Sequence, residues 1–177
     1  MNDSSPSPTP ANPALLWAPW RMDYLGGPHP DGCFLCRIGQ ALDGGDDANF
    51  VVWRGQLCYL VLNRYPYAGG HLMAVPYRHI PDLTQLTDAE WTELRSALVR
   101  AEAALDATMH PQGYNIGINQ GTAAGAGAKG HLHLHLVPRW TGDSNFMPVV
   151  GGVRVESHGL GPVAALLRAA LAHPSAP

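Results

Sequence analysis

Apolar residues along the middle of the chain fall into short runs, and turns rich in Gly and Pro separate these runs. The pattern predicts five strands, at 50–54, 56–63, 71–76, 114–119 and 131–138. Where no helix intervenes, the links between successive strands are short. Short links favour antiparallel pairing, because parallel neighbours need a long crossover connection.

Two other segments carry helical periodicity. Residues from about 88 to 107 place apolar side chains at intervals of three or four, and Thr87 and Glu90 have the spacing of a capping box. The predicted apolar face consists of Trp91, Leu94, Leu98, Ala101 and Leu105. A second helix, rich in Leu and Ala, is predicted at about 160–172. The fold class is therefore α+β, with an antiparallel sheet of about five strands, one long helix and a C-terminal helix.

The chain is predicted to form one domain, at 14–177, behind a disordered tail at 1–13. The tail is rich in Ser, Pro and Asn, which bury too little surface to offset the entropy of ordering. Within the domain, about 14–48 is an N-terminal docking segment that ends in an acidic surface loop at 43–48. The core occupies about 49–150, and the C-terminal helix follows.

Composition excludes several classes of protein. The chain has 177 residues, of which 46% are hydrophobic and 14% charged, and its formal net charge is −3. This balance fits a globular domain and offers no broad attraction to nucleic acid or to a membrane surface. The first residues lack the cationic and apolar regions of a signal peptide. We therefore expect a cytoplasmic location, with neither nucleic acid nor membrane as a partner.

Three histidines alternate with leucines in the last predicted strand, which reads His131-Leu132-His133-Leu134-His135-Leu136-Val137. On a strand this alternation places all the imidazoles on one face and the leucines on the other. A surface strand or a simple metal site would be the alternatives. The nearest acidic residue that follows is Asp143, which argues against a metal site built from histidines and a nearby carboxylate.

The loop before this strand, 119–130, is rich in Gly and Ala. Small residues let backbone amides approach a phosphate closely. The loop is neither a P-loop nor a dinucleotide-binding turn, because a strand follows it instead of a helix. Beside a row of imidazoles, it predicts a phosphate site.

The histidine strand resembles the signature of the histidine triad family, in which three histidines alternate with apolar residues. Further resemblance covers most of residues 15–150. The segments 63–76, 17–24, 125–127 and 140–147 are similar to the family, and the last three resemble its bacterial branch that includes diadenosine tetraphosphate phosphorylases. The resemblance implies a histidine-triad-like sheet and nucleotidyl transfer on dinucleoside polyphosphates, with nucleotide and phosphate as partners.

The resemblance also implies roles for individual residues. His133 would be the nucleophile that forms a nucleotidyl-histidine, and a backbone carbonyl would fix the tautomer of its ring. His135 would contact the phosphates or assist the leaving oxygen. The predicted substrate-binding residues are Asn63, which would bind the ribose, His71, Asn119, Gly125, Gly127, Lys129 and His135. His71 could equally be a strand histidine whose ring is hydrogen-bonded within the protein. Lys129 lies in the stretch where most members of the family have Gly-Gln-Ser/Thr-Val.

A Cys-x-x-Cys pair lies before the core, and in a reducing compartment such a pair is either metal-binding or redox-active. The resemblance implies a structural zinc site. Its ligands would be Cys33, Cys36, His79 and His131, which fill a closed tetrahedron. The alternative is a reduced, idle pair. Cys58, in an apolar run, is expected to be buried.

Three functions stay open at this stage. The first is nucleotidyl transfer with phosphate as the acceptor, and hydrolysis of a polyphosphate or a phosphoramidate is its variant. The second is a nucleotide-binding module with little catalysis. The third, a zinc-dependent nucleic-acid binder, does not fit the acidic net charge. By analogy with the family, a homodimer is expected.

Overall fold

A computed structural model describes residues 32–41, 45–128, 130–143 and 159–173. Its elements, in chain order, are α1 (Phe34–Gln40), α2 (Gly45–Asn49), β1 (Val51–Arg54), β2 (Cys58–Leu62), β3 (Leu72–Pro76), a 3-10 turn (Leu83–Gln85), α3 (Asp88–Met109), β4 (Gly113–Ile118), a second 3-10 turn (Thr122–Ala124), β5 (Leu134–Arg139) and α4 (Leu160–Ala172). The predicted tail and most of the predicted docking segment lie outside these residues.

The five strands form one sheet in the order β1-β2-β3-β5-β4, and every pairing is antiparallel. The α+β prediction is confirmed. β5 crosses back to lie between β3 and β4, so the histidine strand is central in the sheet. Met73 of β3 and Gly117 of β4 are the direct partners of His135.

The two faces of the sheet have different coverings. The face that includes Leu134 and Leu136 packs against α3 and α4 in the main hydrophobic core. The opposite face includes Tyr59, Val61 and Met73 and packs against α1. Because direct partners in antiparallel strands share a face, His135 lies on the α1 side with Met73. The predicted alternation of His and Leu is thus confirmed within β5.

β5 is shorter than predicted, because it begins at Leu134 and not at His131. The backbone amide of Leu132 donates to the carbonyl of Ile80 at 2.7 Å, and the His131 ring lies 2.9 Å from the carbonyl of Pro76. This stretch therefore follows the chain beyond the end of β3 and leaves the ladder.

The long helix α3 begins as predicted. Thr87 is its N-cap, and the reciprocal hydrogen bonds of a capping box with Glu90 are present. The Glu90 carboxylate also accepts from Arg78, and these donors lower its pKa to about 2. Leu94, Leu98, Ala101 and Leu105 are buried, but Trp91 is 48% exposed, so the predicted apolar face does not match the buried face at this position.

The error has a geometric cause. The buried stripe of α3 also includes Glu90, Ala97 and Ala104, which shifts its centre away from Trp91 around the helix. Small alanines let the helix approach the sheet on that side. Trp91 is left at the edge of the stripe.

The C-terminal helix has the predicted bounds, and an arginine ties it to the start of the sheet. Arg168 of α4 donates to the carbonyl of Val51 at 2.7 Å and to that of Asp46 at 2.9 Å, and it forms an ion pair with Asp47. Both acidic residues belong to α2, where an acidic surface loop had been predicted. The described part of that loop is instead a short helix.

Among the described residues, no helix combines the length and the apolarity needed to cross a membrane.

The packing of α3 predicts how its two faces respond to truncation. Leu94→Ala removes a fully buried side chain from the main core, and we expect it to lower the free energy of unfolding by about 2–5 kcal/mol. Val99→Ala on the same helix, where the side chain is 54% exposed, should change it by less than about 0.5 kcal/mol. Urea denaturation followed by circular dichroism measures both, and equal losses would contradict the packing described.

Candidate active site and metal cluster

The middle histidine of the strand is held by the backbone beside it. The Nδ1 atom of His133 lies 2.9 Å from the carbonyl oxygen of His131. A carbonyl can only accept, so Nδ1 carries the proton and the lone pair is on Nε2. His133 is 4% exposed, and burial lowers the pKa of its ring. The ring is therefore neutral near pH 7, with one nitrogen ready to act as a nucleophile.

A second chain of hydrogen bonds sets the tautomer of His135. The backbone amide of Tyr67 donates to Nδ1 of His71 at 3.1 Å, and Nε2 of His71 lies 2.9 Å from Nδ1 of His135. Because Nδ1 of His71 must accept, its proton is on Nε2 and points to His135. Nδ1 of His135 accepts it, so neutral His135 carries its own proton on Nε2.

The two catalytic candidates thus have complementary ring nitrogens. The rings of His133 and His135 lie edge to face, with centroids 4.8 Å apart. His133 offers a lone pair on its Nε2 atom, and His135 offers an N–H group on its own Nε2 atom. This arrangement can attack an electrophilic phosphorus and donate a hydrogen bond to an oxygen bound to it.

A cleft of about 400 Å³ opens beside these rings. It is lined by Tyr67, Asn115, Ile116, Gly117, Asn119, His135, Val137 and Arg139. The side chain of His133 is not part of this lining. The Arg139 guanidinium bonds Asn115 at 2.8 Å and pairs with Asp143 at 2.6 Å, so an acidic neighbour already balances part of its charge.

The glycine-rich loop is folded on itself in its middle. The amide of Gly125 donates to Thr122, and that of Ala126 donates to Gly121. A smaller cavity of about 80 Å³ lies on the loop and is lined by Pro81, Asn119, Gly121, Thr122, Ala126, Ala128, Gly130, His131 and Leu132. Asn119 lines both cavities. The phosphate-binding roles of Gly125 and Gly127 stay predictions, and Lys129 lies outside the described residues.

Two other predicted substrate residues, His71 and Asn63, have hydrogen-bond partners within the protein. His71 is fully buried and its Nε2 lies 2.9 Å from Nδ1 of His135, so its predicted contact with substrate stays a prediction. Asn63 is half-buried, and its side-chain oxygen accepts from the amide of Tyr65 at 2.9 Å. Its predicted contact with a ribose stays a prediction.

The four predicted metal ligands come together in one cluster. One ligand atom each from Cys33, Cys36, His79 and His131 lies within 4.8 Å of all the others. α1 and its N-cap carry the cysteines, His79 follows β3, and His131 precedes β5. Tyr59 anchors α1 by donating its buried hydroxyl proton to Leu35 at 2.7 Å.

The geometry and chemistry of this cluster fit a metal ion. The Sγ atoms of Cys33 and Cys36 lie 3.3 and 3.4 Å from Nδ1 of His131. Sulfur and nitrogen ligands at tetrahedral angles around one ion stand about 3.6 Å apart. Nε2 of His131 donates to Pro76 and leaves Nδ1 as the ligand atom. Burial and the neighbouring Cys33 raise the pKa of Cys36 and so disfavour its thiolate form. A bound cation would favour the thiolate again.

His131 connects the two parts of the site. Its ring belongs to the cluster, while its backbone carbonyl accepts the hydrogen bond that orients His133. Only one residue, Leu132, separates this candidate metal ligand from the candidate nucleophile, so any shift of this backbone moves both.

Several residues of the site were not predicted from the sequence. They are Tyr67, Pro76, Arg78, Glu90, Asn115 and Arg139. Pro76 contributes its carbonyl and Tyr67 its backbone amide, for which a sequence carries no signal, and the Tyr67 ring also stacks on His71. Glu90 was identified as part of a capping box, and that local role concealed its pairing with Arg78. Arg139 could have been found from its period-two spacing with His135, which places both side chains on one face of β5.

The chain belongs to the HIT domain, or histidine triad, family, as its fold and its alternating histidines indicate. A sequence model of the HIT domain matches residues 45–142, more than half of the chain. Both cysteines of the cluster precede this match, so the cluster joins the family's domain to a segment outside it.

Individual relatives agree with this membership. The chain is 42% identical over 146 residues to a Mycobacterium tuberculosis protein named AP-4-A phosphorylase. The matched region covers 79% of this chain and 75% of the relative. It is 31% identical over 93 residues to a Schizosaccharomyces pombe asymmetrical bis(5'-nucleosyl)-tetraphosphatase, across 52% of this chain and 50% of the relative. A zinc-bound histidine triad protein from Mycobacterium smegmatis superposes with a TM-score of 0.63 and 29% identity, over 80% of this chain and 94% of that one.

The cluster geometry predicts metal binding that depends on both cysteines. We expect the purified protein to hold about one divalent ion per chain, and Cys36→Ser to lose it, because a hydroxyl does not replace a thiolate ligand. The control is Cys58→Ala, which changes a buried cysteine outside the cluster. Mass spectrometry of the metal content measures all three proteins. Equal metal content in wild type and Cys36→Ser would contradict the assignment.

Proposed function

We propose that this protein transfers a nucleotidyl group from a dinucleoside polyphosphate through a covalent adduct on His133. The observation that carries the proposal is the hydrogen bond between Nδ1 of His133 and the His131 carbonyl. It keeps the lone pair on Nε2, and burial keeps the ring neutral. Family membership and the two relatives named for action on nucleoside polyphosphates support the same reaction.

In the first step, Nε2 of His133 attacks the α-phosphorus. A nitrogen–phosphorus bond forms as the bond to the bridging oxygen breaks, and the remaining polyphosphate leaves as an anion. The ring becomes positively charged, and the His131 carbonyl stabilises that charge through the Nδ1 proton. The Nε2–H group of His135 donates a hydrogen bond to an oxygen on the reacting phosphorus, and the side-chain amide of Asn119 donates a second one.

In the second step, an acceptor oxygen attacks the phosphorus and the nitrogen–phosphorus bond breaks, which returns His133 to its neutral form. Phosphate as the acceptor yields a nucleoside diphosphate, and water yields a monophosphate. Both acceptors use the same adduct, so the triad does not distinguish them. The similarity to the M. tuberculosis phosphorylase supports phosphate.

On this proposal, the reacting phosphorus approaches from the side of the large cleft. His135 and Asn119 line that cleft, and the His133 ring lies edge to face with His135. The phosphate chain would extend along β5 toward Arg139, which shares the cleft. A buried nucleophile suits this chemistry, because desolvation keeps the imidazole neutral and excludes competing water.

We also propose that the cluster holds a structural zinc ion. Two thiolates and two imidazoles fill a tetrahedron and leave no position for water, and the M. smegmatis relative is zinc-bound. The ion would supply rigidity, fixing α1 and the segment after β3 around His131. The predicted homodimer and cytoplasmic location stay predictions.

Turnover of diadenosine tetraphosphate tests the function. We expect ADP and ATP from wild type only when phosphate is present, and an AMP adduct on the peptide that contains His133 after rapid acid-free quenching. His133→Asn should reduce kcat by at least about 10³-fold, because the nucleophile is lost. Chromatography of the products measures the first result and mass spectrometry the second.

The matched control for this variant is His110→Asn. His110 is an exposed histidine in a left-handed conformation after α3, which Asn adopts readily, and we expect wild-type turnover. AMP and ATP as products would indicate the hydrolytic variant. Nucleotide binding without turnover would indicate the binding module, and His133→Asn acting at the wild-type rate would exclude the adduct.

The buried position of His133 also predicts the pH dependence of turnover. Burial lowers its pKa from the usual 6.5, and the attacking ring has to be unprotonated. We therefore expect kcat/KM to be level at neutral pH and to fall about tenfold per pH unit only below a midpoint that is more acidic than 6.5. A pH series on wild type measures it, and a midpoint above 6.5 would contradict a buried nucleophile.

A further inference from the structure

Residues 76–80, here called the anchoring segment, hold the chain that carries His131 and His133. The Pro76 carbonyl accepts from the His131 ring at 2.9 Å, and the Ile80 carbonyl accepts from the Leu132 amide at 2.7 Å. Nδ1 of His79 lies 3.3 Å from Sγ of Cys36. The segment therefore contacts the catalytic strand through its backbone and the cluster through a side chain.

The middle of the anchoring segment is clamped to the first turn of α3. Nε and Nη2 of Arg78 bond the two carboxylate oxygens of Glu90, each at 2.6 Å, and Nη2 also donates to the Gln85 carbonyl at 2.7 Å. Two parallel bonds of this kind fix the relative orientation of both groups as well as their distance. The clamp thus restrains both the distance and the orientation of Arg78 relative to α3.

The carboxylate of this clamp is itself rigid. Glu90 is 3% exposed, and the oxygen that faces Nη2 also accepts from the amide and the hydroxyl of Thr87, each at 2.9 Å. α3 packs against the main core along its length. Arg78 is therefore tied, through one side chain, to a helix that packs in the main core, although half of its own side chain is exposed.

We propose that Arg78 and Glu90 form a positioning pair that sets the geometry of the metal cluster and, through His131, of the nucleophile. The path runs from α3 through the pair to the anchoring segment, then to the His131 ring, and from the His131 carbonyl to Nδ1 of His133. Neither residue touches substrate. The part that concerns the nucleophile rests on the proposed function, whereas the part that concerns the cluster does not.

An ion pair that served folding alone would leave the cluster and the chemistry unchanged in the folded variant. A positioning pair has two further effects. Weakening it should let His79 and His131 move apart and speed metal release. It should also lower kcat with little change in KM, because the orientation of His133 matters in the transition state and the cleft that binds substrate is lined by other residues.

The test uses the zinc-loaded full chain and Glu90→Gln. Glutamine keeps an oxygen that accepts from Thr87, so the capping box survives, while the charge and one bond to Arg78 are lost. We expect release of zinc to a chromogenic chelator to accelerate about tenfold, as for other changes outside the ligand set. We expect kcat to fall about tenfold, with KM within about twofold of wild type.

Asp106→Asn is the matched control, because it makes the same change on α3, where Asp106 accepts from the Tyr114 hydroxyl at 2.6 Å, and it should alter neither quantity. Arg78→Met and the double variant complete a cycle. A pair acting as a unit predicts that the double variant releases zinc no faster than the worse single variant.

Wild-type zinc release in folded Glu90→Gln and Arg78→Met would overturn the proposal, as would additive effects in the double variant. If wild type turns over no nucleotide, the proposed function fails. The release rates still decide the role of the pair at the cluster.

Discussion

The hydrogen bond between the His133 ring and the His131 carbonyl is the contact on which the proposed chemistry depends. It determines which nitrogen carries the proton and therefore which one can attack. The two atoms are close because residues 131–133 leave the β ladder, which turns the His131 carbonyl toward a ring two residues away. An ideal strand would have directed that carbonyl to a neighbouring strand instead.

The departure from the ladder needs other partners for the backbone, and the anchoring segment supplies them. Buried amides and carbonyls have to be paired, and the bonds from Leu132 to Ile80 and from His131 to Pro76 meet this need. The cluster and the Arg78–Glu90 pair then hold the anchoring segment from two sides. The Cys/His cluster and the candidate nucleophile are thus connected through the same stretch of backbone.

The central position of β5 helps to explain why the pKa of the His133 ring is lowered. Helices α3 and α4 cover the leucine face of the sheet, and the histidine face is enclosed well enough to leave His133 only 4% exposed. Desolvation opposes protonation of a buried ring. The His71 ring is fully buried, so its hydrogen bonds to Tyr67 and His135 decide its tautomer.

Local patterns in the sequence determined the number of strands, the bounds of α4, the capping box of α3 and the grouping of the histidines. Each of these follows from periodicity or from contacts between residues that are near in the chain. The resemblance of the sequence to the histidine triad family led to the cluster residues, since no local pattern relates Cys33 to His131.

Tertiary structure decided the rest. Trp91 lies outside the core because the alanines of α3 pack closely against the sheet and set the orientation of the helix. The true start of β5, the chain from Tyr67 through His71 to His135, and the double role of Glu90 all depend on backbone atoms or on partners far away in sequence. Such contacts exist only once the chain has folded, because a backbone carbonyl has the same chemistry in every residue and its partner is chosen by position alone.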